Sequence, residues 1–464
     1  MSFIGASDAA KWSDGKLYGP DIRLCRSWKN DSRDVGPGDA FVALKGEETD
    51  GHLFVHKAIE RGAKFLLINS SRFEELSLNA PEYGGITVIT VTETESALAK
   101  IAAEYLKFYA PEMIGITGSV GKTTTRELTL NLLQSAKKVH SAIRSFNTVI
   151  GCSLTILAMP EDTEILILEF GTNHFGEIRE MVDLFPPETA VITEVAPAHL
   201  EGFGTIEGVL KAKMEICESR KLKTIIFNYD NKLLRNELSY KFNNIQKIGV
   251  GKESGSDLRI IDSDLSLSGE GATLVSEYDF NGTKFKLKTN LFGLQHAFNV
   301  GYAFLAADLF GVGQDNIEKN LSLFSAISGR GRCKKLPRNL WIIDEAYNAN
   351  PSSMRAAIEN TLNVACSSEL SAYAVLGGMR ELGASSLHWH QEILAITSLF
   401  QRILLLGDEW FDPEIEVPCN AERYKSFEEI TPLAENFLKP DSVILVKGSN
   451  SYGLKRLVAL VTEG

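Results

Sequence analysis

Short, almost unbroken apolar runs recur along this chain, separated by longer stretches in which apolar residues return every three or four positions. Runs of that kind predict strands buried on both faces, and the intervening period predicts helices. Residues 41–44, 65–68 and 86–89 form a first group of strands, followed by a helix predicted over 96–108 and by Pro111. Residues 111–116, 165–170, 190–193 and 224–227 form a second group, suited to parallel strands. Lys284-Phe285-Lys286-Leu287-Lys288 alternates instead, so the stretch 258–292 is predicted to be antiparallel and half exposed. A helix of small residues over 296–310 closes this group, and a linker around 325–331 follows. Runs at 341–344, 372–376, 402–406 and 442–446 then alternate with helical stretches, the rhythm of an open doubly wound sheet. Asn350-Pro351 reads as an N-cap followed by proline at the first helical position, with a helix through 362. The reading is α/β throughout, with three domains over 1–110, 111–326 and 327–464.

The junction between the first two groups carries the strongest chemical signal, Gly115-Ile116-Thr117-Gly118-Ser119-Val120-Gly121-Lys122-Thr123-Thr124-Thr125. It follows a predicted strand and precedes a helix predicted over 127–134. A glycine-rich turn there aims backbone N–H groups and a helix N-terminus at one point, where phosphate binds well. Lys122 is placed to reach the β/γ-phosphates, and the Thr123 hydroxyl to ligate Mg²⁺. The spacing is shorter than the full G-x-x-x-x-G-K-[ST], because position 116 is isoleucine.

Bulk properties narrow the function. A chain of 464 residues exceeds one ordinary core. The net charge of −12 argues against nucleic acid or an anionic membrane as the main partner. Six scattered cysteines without a C-x-x-C pair read as free thiols in a reducing cytosol. Residues 1–8 lack the basic and apolar regions of a signal peptide, and no apolar run reaches membrane-span length. A cytoplasmic location is expected.

In open α/β sheets ligands bind beyond the carboxyl ends of the strands, and several polar groups fall there. Glu169 ends a strand and suits a Mg²⁺ ligand beside the phosphate loop, or a helix cap. His199 follows another strand, where either a ligand or a packing role fits. Asn147 and Thr148 suit substrate contact or a turn. Lys211 and Lys213, two apart on a predicted helix, read as a solvated face. His388-Trp389-His390 splits its two rings across a helix, which disfavours a metal site. In the third group, Asp344-Glu345-Ala346-Tyr347-Asn348-Ala349-Asn350 and Lys447-Gly448-Ser449 end strands where a ligand would be met; Lys447 suits a carboxylate or phosphate oxygen.

With these pieces in order, the chain resembles the ATP-dependent Mur ligases of peptidoglycan synthesis. The resemblance runs through Asp31-Ser32-Arg33, T-G-S-V-G-K-T-T-T, Phe146-Asn147-Thr148, Glu169-Phe170-Gly171-Thr172-Asn173 and His199-Leu200-Glu201-Gly202-Phe203-Gly204 to Leu445-Val446-Lys447-Gly448-Ser449. Tyr347-Asn348-Ala349-Asn350-Pro351-Ser352-Ser353-Met354 points within the family to addition of D-alanyl-D-alanine to UDP-N-acetylmuramoyl-tripeptide. The resemblance implies a UDP-binding first domain, a central P-loop ATPase sheet, and a Rossmann-like, doubly wound C-terminal domain that receives the amine. It implies ATP contacts at Gly118, Ser119, Val120, Gly121, Lys122, Thr123 and Thr124, at Asn299 for adenine, and at Arg330 and Asp344. Arg332 is the alternative to Arg330. Substrate contacts are implied at Ser32, Arg33, Asn147, Thr148, Tyr347, Asn348, Asn350, Lys447 and Ser449. Lys122, Glu169, His199 and Lys213 become the implied catalytic set. The resemblance further implies Mg²⁺ ligation by Thr123, Glu169, His199 and a carbamylated Lys213, with Lys211 the fallback. A monomer is expected. The family's L-G-D-M-x-E-L-G reads Leu376-Gly377-Gly378-Met379-Arg380-Glu381-Leu382-Gly383 here, so Gly378 cannot supply the usual carboxylate. Rival readings are a sister ligase adding a single amino acid and a P-loop switch in which ATP drives a conformational change.

Overall fold

The computed structural model describes residues 4–25, 27–46, 49–78, 84–142, 145–433 and 437–463. Met1, Ser2 and Phe3 of the N-terminal stretch read above lie outside them. Three sheets follow one another along the chain. The first comprises β1 (Lys16–Tyr18), β2 (Trp28–Lys29), β3 (Ala40–Val42), β4 (Phe65–Asn69) and β5 (Thr87–Val91), in the order β1-β5-β4-β3-β2. Only β1 runs antiparallel.

The second sheet holds β6 (Glu112–Thr117), β7 (Val139–Ser141), β8 (Ile165–Glu169), β9 (Thr189–Ile192), β10 (Thr224–Asn228), β11 (Gln246–Gly251), β12 (Leu258–Ser268), β13 (Gly271–Phe280) and β14 (Thr283–Thr289). Their order is β14-β13-β12-β11-β10-β9-β6-β8-β7. The parallel strands β8, β9 and β10 are buried at every position, which explains their unbroken apolar runs. The expected antiparallel stretch is the meander β12–β14 at the opposite edge. The helix His296–Leu309 lies on this sheet, where Tyr302 donates its hydroxyl to the Thr193 carbonyl at 2.8 Å.

The third sheet comprises β15 (Arg332–Leu336), β16 (Leu340–Glu345), β17 (Ser371–Gly377), β18 (Arg402–Leu406), β19 (Ala421–Tyr424) and β20 (Ser442–Lys447), in the order β15-β16-β20-β17-β18-β19. The strands β16 to β20 are parallel, and β15 is an antiparallel edge. Asn350 caps the helix Pro351–Ser367 by accepting from the Ser353 N–H, and the helix runs one turn beyond the expected end. Short edge strands such as β2, β7 and β19 escaped the sequence reading, because neither apolar runs nor alternation develops over two to four residues. Among the described residues, no helix is long and apolar enough to cross a membrane.

Candidate active site

The carboxyl ends of β6, β8, β9, β10, β16 and β20 converge on one cavity of about 1150 Å³, with Glu95 from the helix Thr94–Tyr109 on its rim. The glycine-rich turn forms one wall. Gly118 has φ +145° and Gly121 φ +87°, values that L side chains rarely adopt. A Cβ at Gly118 would stand 2.1 Å from Thr193 Oγ1, and one at Gly121 2.6 Å from Asn299 Oδ1. The helix behind the turn starts at Lys122, not at the expected 127, and runs Lys122–Leu133. The three β-branched threonines weaken the local helix signal, and packing beneath the sheet overrides it. The helix N-terminus therefore opens directly onto the cavity. Ser119, Val120, Lys122, Thr123 and Thr124 line it, as does Asn299. The Lys122 ammonium donates to the Gly118 carbonyl at 2.6 Å. Burial pulls its pKa down to about 8, with Glu169 opposing and Arg330 reinforcing the shift.

Glu169 stands at the end of β8, buried to 1% exposure. Its Oε2 accepts from the Thr123 hydroxyl at 3.1 Å, and its Oε1 lies 3.0 Å from a terminal nitrogen of Arg126. Among the described residues, the contacts of this carboxylate are to the Thr123 and Arg126 side chains and not to a helix N-terminus, so the capping reading is not met. Arg126, itself 1% exposed, was not singled out from the sequence. It sits four residues after Lys122 on the same helix face, which is the signal that could have found it. Ser145 joins this group, its Oγ 3.2 Å from Thr123 Oγ1 and 3.4 Å from an Arg330 nitrogen.

The two lysines of the helix Ile206–Met214 separate. Lys211 is exposed, its ammonium 5.5 Å over the Phe175 ring, as a solvated face predicts. Lys213 overturns that expectation: it is 1% exposed and its Nζ has no hydrogen-bond partner. Burial, then the charge of Lys122, drives its ammonium well below the ordinary lysine value, against the pull of Glu177 and Glu215. Lys213 does not itself line the cavity.

His199 does line it, from the loop after β9. Asn147 and Thr148 do too; Thr148 also caps the helix Val149–Leu157 by accepting from the Gly151 N–H at 3.2 Å. From the third sheet come Arg330, Tyr347, Asn348, Asn350 and Lys447. Arg330 stacks 3.8 Å over the Tyr347 ring, whereas Arg332 is exposed on β15 and away from the cavity. Lys447 is 1% exposed and paired with Glu345 at 3.3 Å. Asp344 and Ser449 do not reach the wall. The Asp344 carboxylate accepts from the Gly329 and Ala346 N–H groups and so fixes the linker turn before β15. Ser32 and Arg33 lie in the first sheet's domain, apart from this cavity, with Arg33 paired to Asp31 at 2.6 Å. In His388-Trp389-His390, the His390 ring accepts from the Met379 N–H and contacts the Ser386 carbonyl, so both of its nitrogens are engaged within the protein.

The donors present fit a divalent cation only in company. Among the described residues, no three His, Cys, Asp or Glu side chains cluster closely enough to hold a metal alone. Mg²⁺ commonly takes one or two carboxylates and fills its shell with phosphate oxygens and water. Glu169, a buried carboxylate whose Oε2 already meets the Thr123 hydroxyl and whose Oε1 faces Arg126, meets that requirement next to a phosphate loop.

Comparison with known proteins agrees with this geometry. Residues 28–106 match the Mur ligase family, catalytic domain; 116–307 the Mur ligase middle domain; and 329–450 the Mur ligase, glutamate ligase domain. The UDP-N-acetylmuramoyl-tripeptide--D-alanyl-D-alanine ligase of Bacillus subtilis (strain 168) is 35% identical over 373 residues, covering 79% of this chain and 76% of the relative. That of Escherichia coli (strain K12) is 31% identical, covering 97% and 96%. The chain belongs to the Mur ligase family. Its fold matches the crystal structure of MurF ligase from Thermotoga maritima in complex with ADP, at TM-score 0.79 and 28% identity over 94% of this chain and 97% of that one. MurF from Acinetobacter baumannii shares the three-domain fold at TM-score 0.82 and 24% identity, each chain covered in full.

Gly378, where the resemblance leads one to expect an acidic residue, has a structural counterpart. A Cβ at Gly378 would stand 2.3 Å from Glu409 Oε2. Glu409, from the turn after β18, thus brings a carboxylate into the space beside Gly378, where it accepts from the Tyr452 hydroxyl and lies 3.5 Å from Arg380 Nε. No sequence signal pairs Gly378 with Glu409.

Proposed function

We propose that this Mur ligase joins D-alanyl-D-alanine to UDP-N-acetylmuramoyl-tripeptide, using ATP, in the cytoplasm and as a monomer. The observation that carries the reading is the meeting of Tyr347, Asn348 and Asn350 from the third sheet with the phosphate loop on one cavity. The chain divides for this purpose into domains 1–110, 111–326 and 327–464, which bind the UDP substrate, ATP and the incoming amine.

A carboxylate is a poor electrophile, so its coupling to an amine needs activation. The tripeptide carboxylate oxygen attacks the γ-phosphorus, the bond to the β-phosphate oxygen breaks, and ADP leaves an acyl phosphate behind. Lys122 neutralises charge gathering on the transferring group, and the helix N-terminus at Lys122 holds the phosphates. Arg330 approaches the same region from the third domain, and Asn299 faces the base. Mg²⁺ would be held by Thr123, Glu169, His199 and a Lys213 carbamate, and would supply further charge neutralisation at the phosphates. The D-alanyl-D-alanine amine then attacks the acyl carbon, the carbon–oxygen bond to phosphate breaks, and the nitrogen gives up a proton to the departing phosphate. Tyr347, Asn348, Asn350 and Lys447 bound the space for that nucleophile, with Ser449 behind them. Ser32 and Arg33 serve the UDP end. Closure of the third domain over the cavity keeps water from the acyl phosphate.

The test is ADP release from ATP with UDP-N-acetylmuramoyl-tripeptide, with and without D-alanyl-D-alanine, alongside mass spectrometry of the muramoyl product. The expected outcome is a product extended by the dipeptide and ADP release that rises on its addition. Extension by a single free amino acid, or ADP release indifferent to both substrates, would refute the reading.

A further inference from the structure

A contact between the second and third domains reaches the cavity through His199. Its Nδ1 hydrogen-bonds Glu381 Oε2, a carboxylate on the loop after β17. Both residues sit in the left-handed region, His199 at φ 52° and Glu381 at φ 64°. A non-glycine residue held there is strained and persists where its surroundings over-determine it. The Glu201 N–H approaches the Glu381 carbonyl at 3.4 Å, and a Cβ at Gly383 would lie 3.5 Å from the Glu201 Cα. Behind the loop, the Gly378 N–H donates to the Leu406 carbonyl at 2.9 Å and the Met379 N–H to His390 Nε2 at 3.1 Å.

The pair is too exposed to matter much for stability: the side chains keep 25% and 52% of their accessible surface, and solvent screens ion pairs of that kind. Its effect is orientation. An imidazole that donates through Nδ1 to a carboxylate has its Nε2 lone pair free, and partners of this kind fix metal-binding histidines.

We propose that Glu381 is a positioning residue for His199: reaching across the domain boundary, it fixes the ring so that Nε2 is the nitrogen offered to a divalent cation in the cavity. The proposal rests on the ligase reading above. It makes completion of the cation site conditional on docking of the third domain, so that a cation fully held by the second domain reports that the amine-receiving domain is in place.

The experiment uses the full chain as wild type, Glu381→Ala, Glu381→Gln, His199→Ala and the His199→Ala/Glu381→Ala double variant. Mn²⁺ with ADP serves as probe, and pulsed EPR reads the ¹⁴N modulation of a histidine ligand. In parallel, the Mg²⁺ concentration giving half-maximal ADP release is measured. Wild type is expected to show ¹⁴N modulation, and His199→Ala to lose it. Glu381→Ala should weaken the modulation and raise the Mg²⁺ requirement about tenfold or more. Glu381→Gln, whose amide oxygen still accepts from Nδ1–H, should recover most of both. In the His199→Ala background, Glu381→Ala should add nothing. Full modulation and an unchanged Mg²⁺ requirement in Glu381→Ala would overturn the proposal. So would a wild type that forms the dipeptide-extended product without histidine modulation, an outcome that leaves the ligase reading standing. Failure to form that product counts instead against the ligase reading.

Discussion

Arg126→Met removes one half of a buried ion pair and leaves the other half in place. Arg126 and Glu169 are each 1% exposed and 3.0 Å apart, so the small values typical of surface pairs do not apply. Breaking a buried pair by deleting one partner costs about 3–5 kcal/mol, because the remaining charge is uncompensated. Glu169 keeps the Thr123 hydroxyl, and the Lys122 charge interacts with it, which places the expected cost near the lower end, about 3 kcal/mol. Methionine approximates the arginine stem in shape, so the cavity contribution stays small. All five tryptophans, Trp12, Trp28, Trp341, Trp389 and Trp410, lie outside residues 111–326, and intrinsic fluorescence would not report the loss. Native-state hydrogen exchange read by mass spectrometry over β8 and the helix Lys122–Leu133 would. At 1.36 kcal/mol per decade, the expected cost appears as exchange roughly 150-fold faster in those segments. Adding Glu169→Gln to the same chain should recover most of it, since the carboxylate then left without its Arg126 partner is Glu127, which is a quarter exposed and solvated. Acceleration below about fivefold in the single variant would show that the pair behaves as a surface pair and would refute the reasoning.

Three further outcomes are expected. Lys122, whose pKa burial pulls down to about 8, should become fully protonated beside a polyphosphate; ADP binding should therefore take up protons as pH rises through about 8, and affinity should fall there. Calorimetry in buffers of different ionisation enthalpy, referenced to Lys122→Met, measures this, and a difference between the two proteins that does not change with pH would count against it. Lys213→Ala should lose most ligase activity and regain part of it with acetate or another short carboxylate; if no carboxylate restores any turnover, the carbamate role fails. Gly378→Asp forces a Cβ to 2.3 Å from Glu409 Oε2 and sets a second carboxylate beside the first. Overpacking of this kind costs about 1–3 kcal/mol, so the calorimetric Tm should fall, and Glu409→Ala in the same chain should recover most of the loss; strictly additive losses would refute the exchange of one carboxylate for the other.

The chain itself determined the strand runs and the α/β rhythm, because an apolar run or a 3.6-residue period is a local property of neighbouring residues. It likewise determined the phosphate turn, whose glycines and lysine act within a few positions of one another, and the Asn350-Pro351 helix start. Folding decided what neighbours in sequence cannot. Lys211 and Lys213 differ by two positions on one helix, and only packing around Lys122, Glu177 and Glu215 makes one a surface cation and the other a buried amine. Arg330 and Arg332 were equivalent on paper until the linker turn, fixed by Asp344, carried Arg330 over Tyr347. Arg126 behind Glu169, Glu381 beside His199 and Glu409 beside Gly378 each join segments far apart in the chain. Burial and charge pairing act through space, so these partners became visible only once the sheets had brought their strand ends to one cavity.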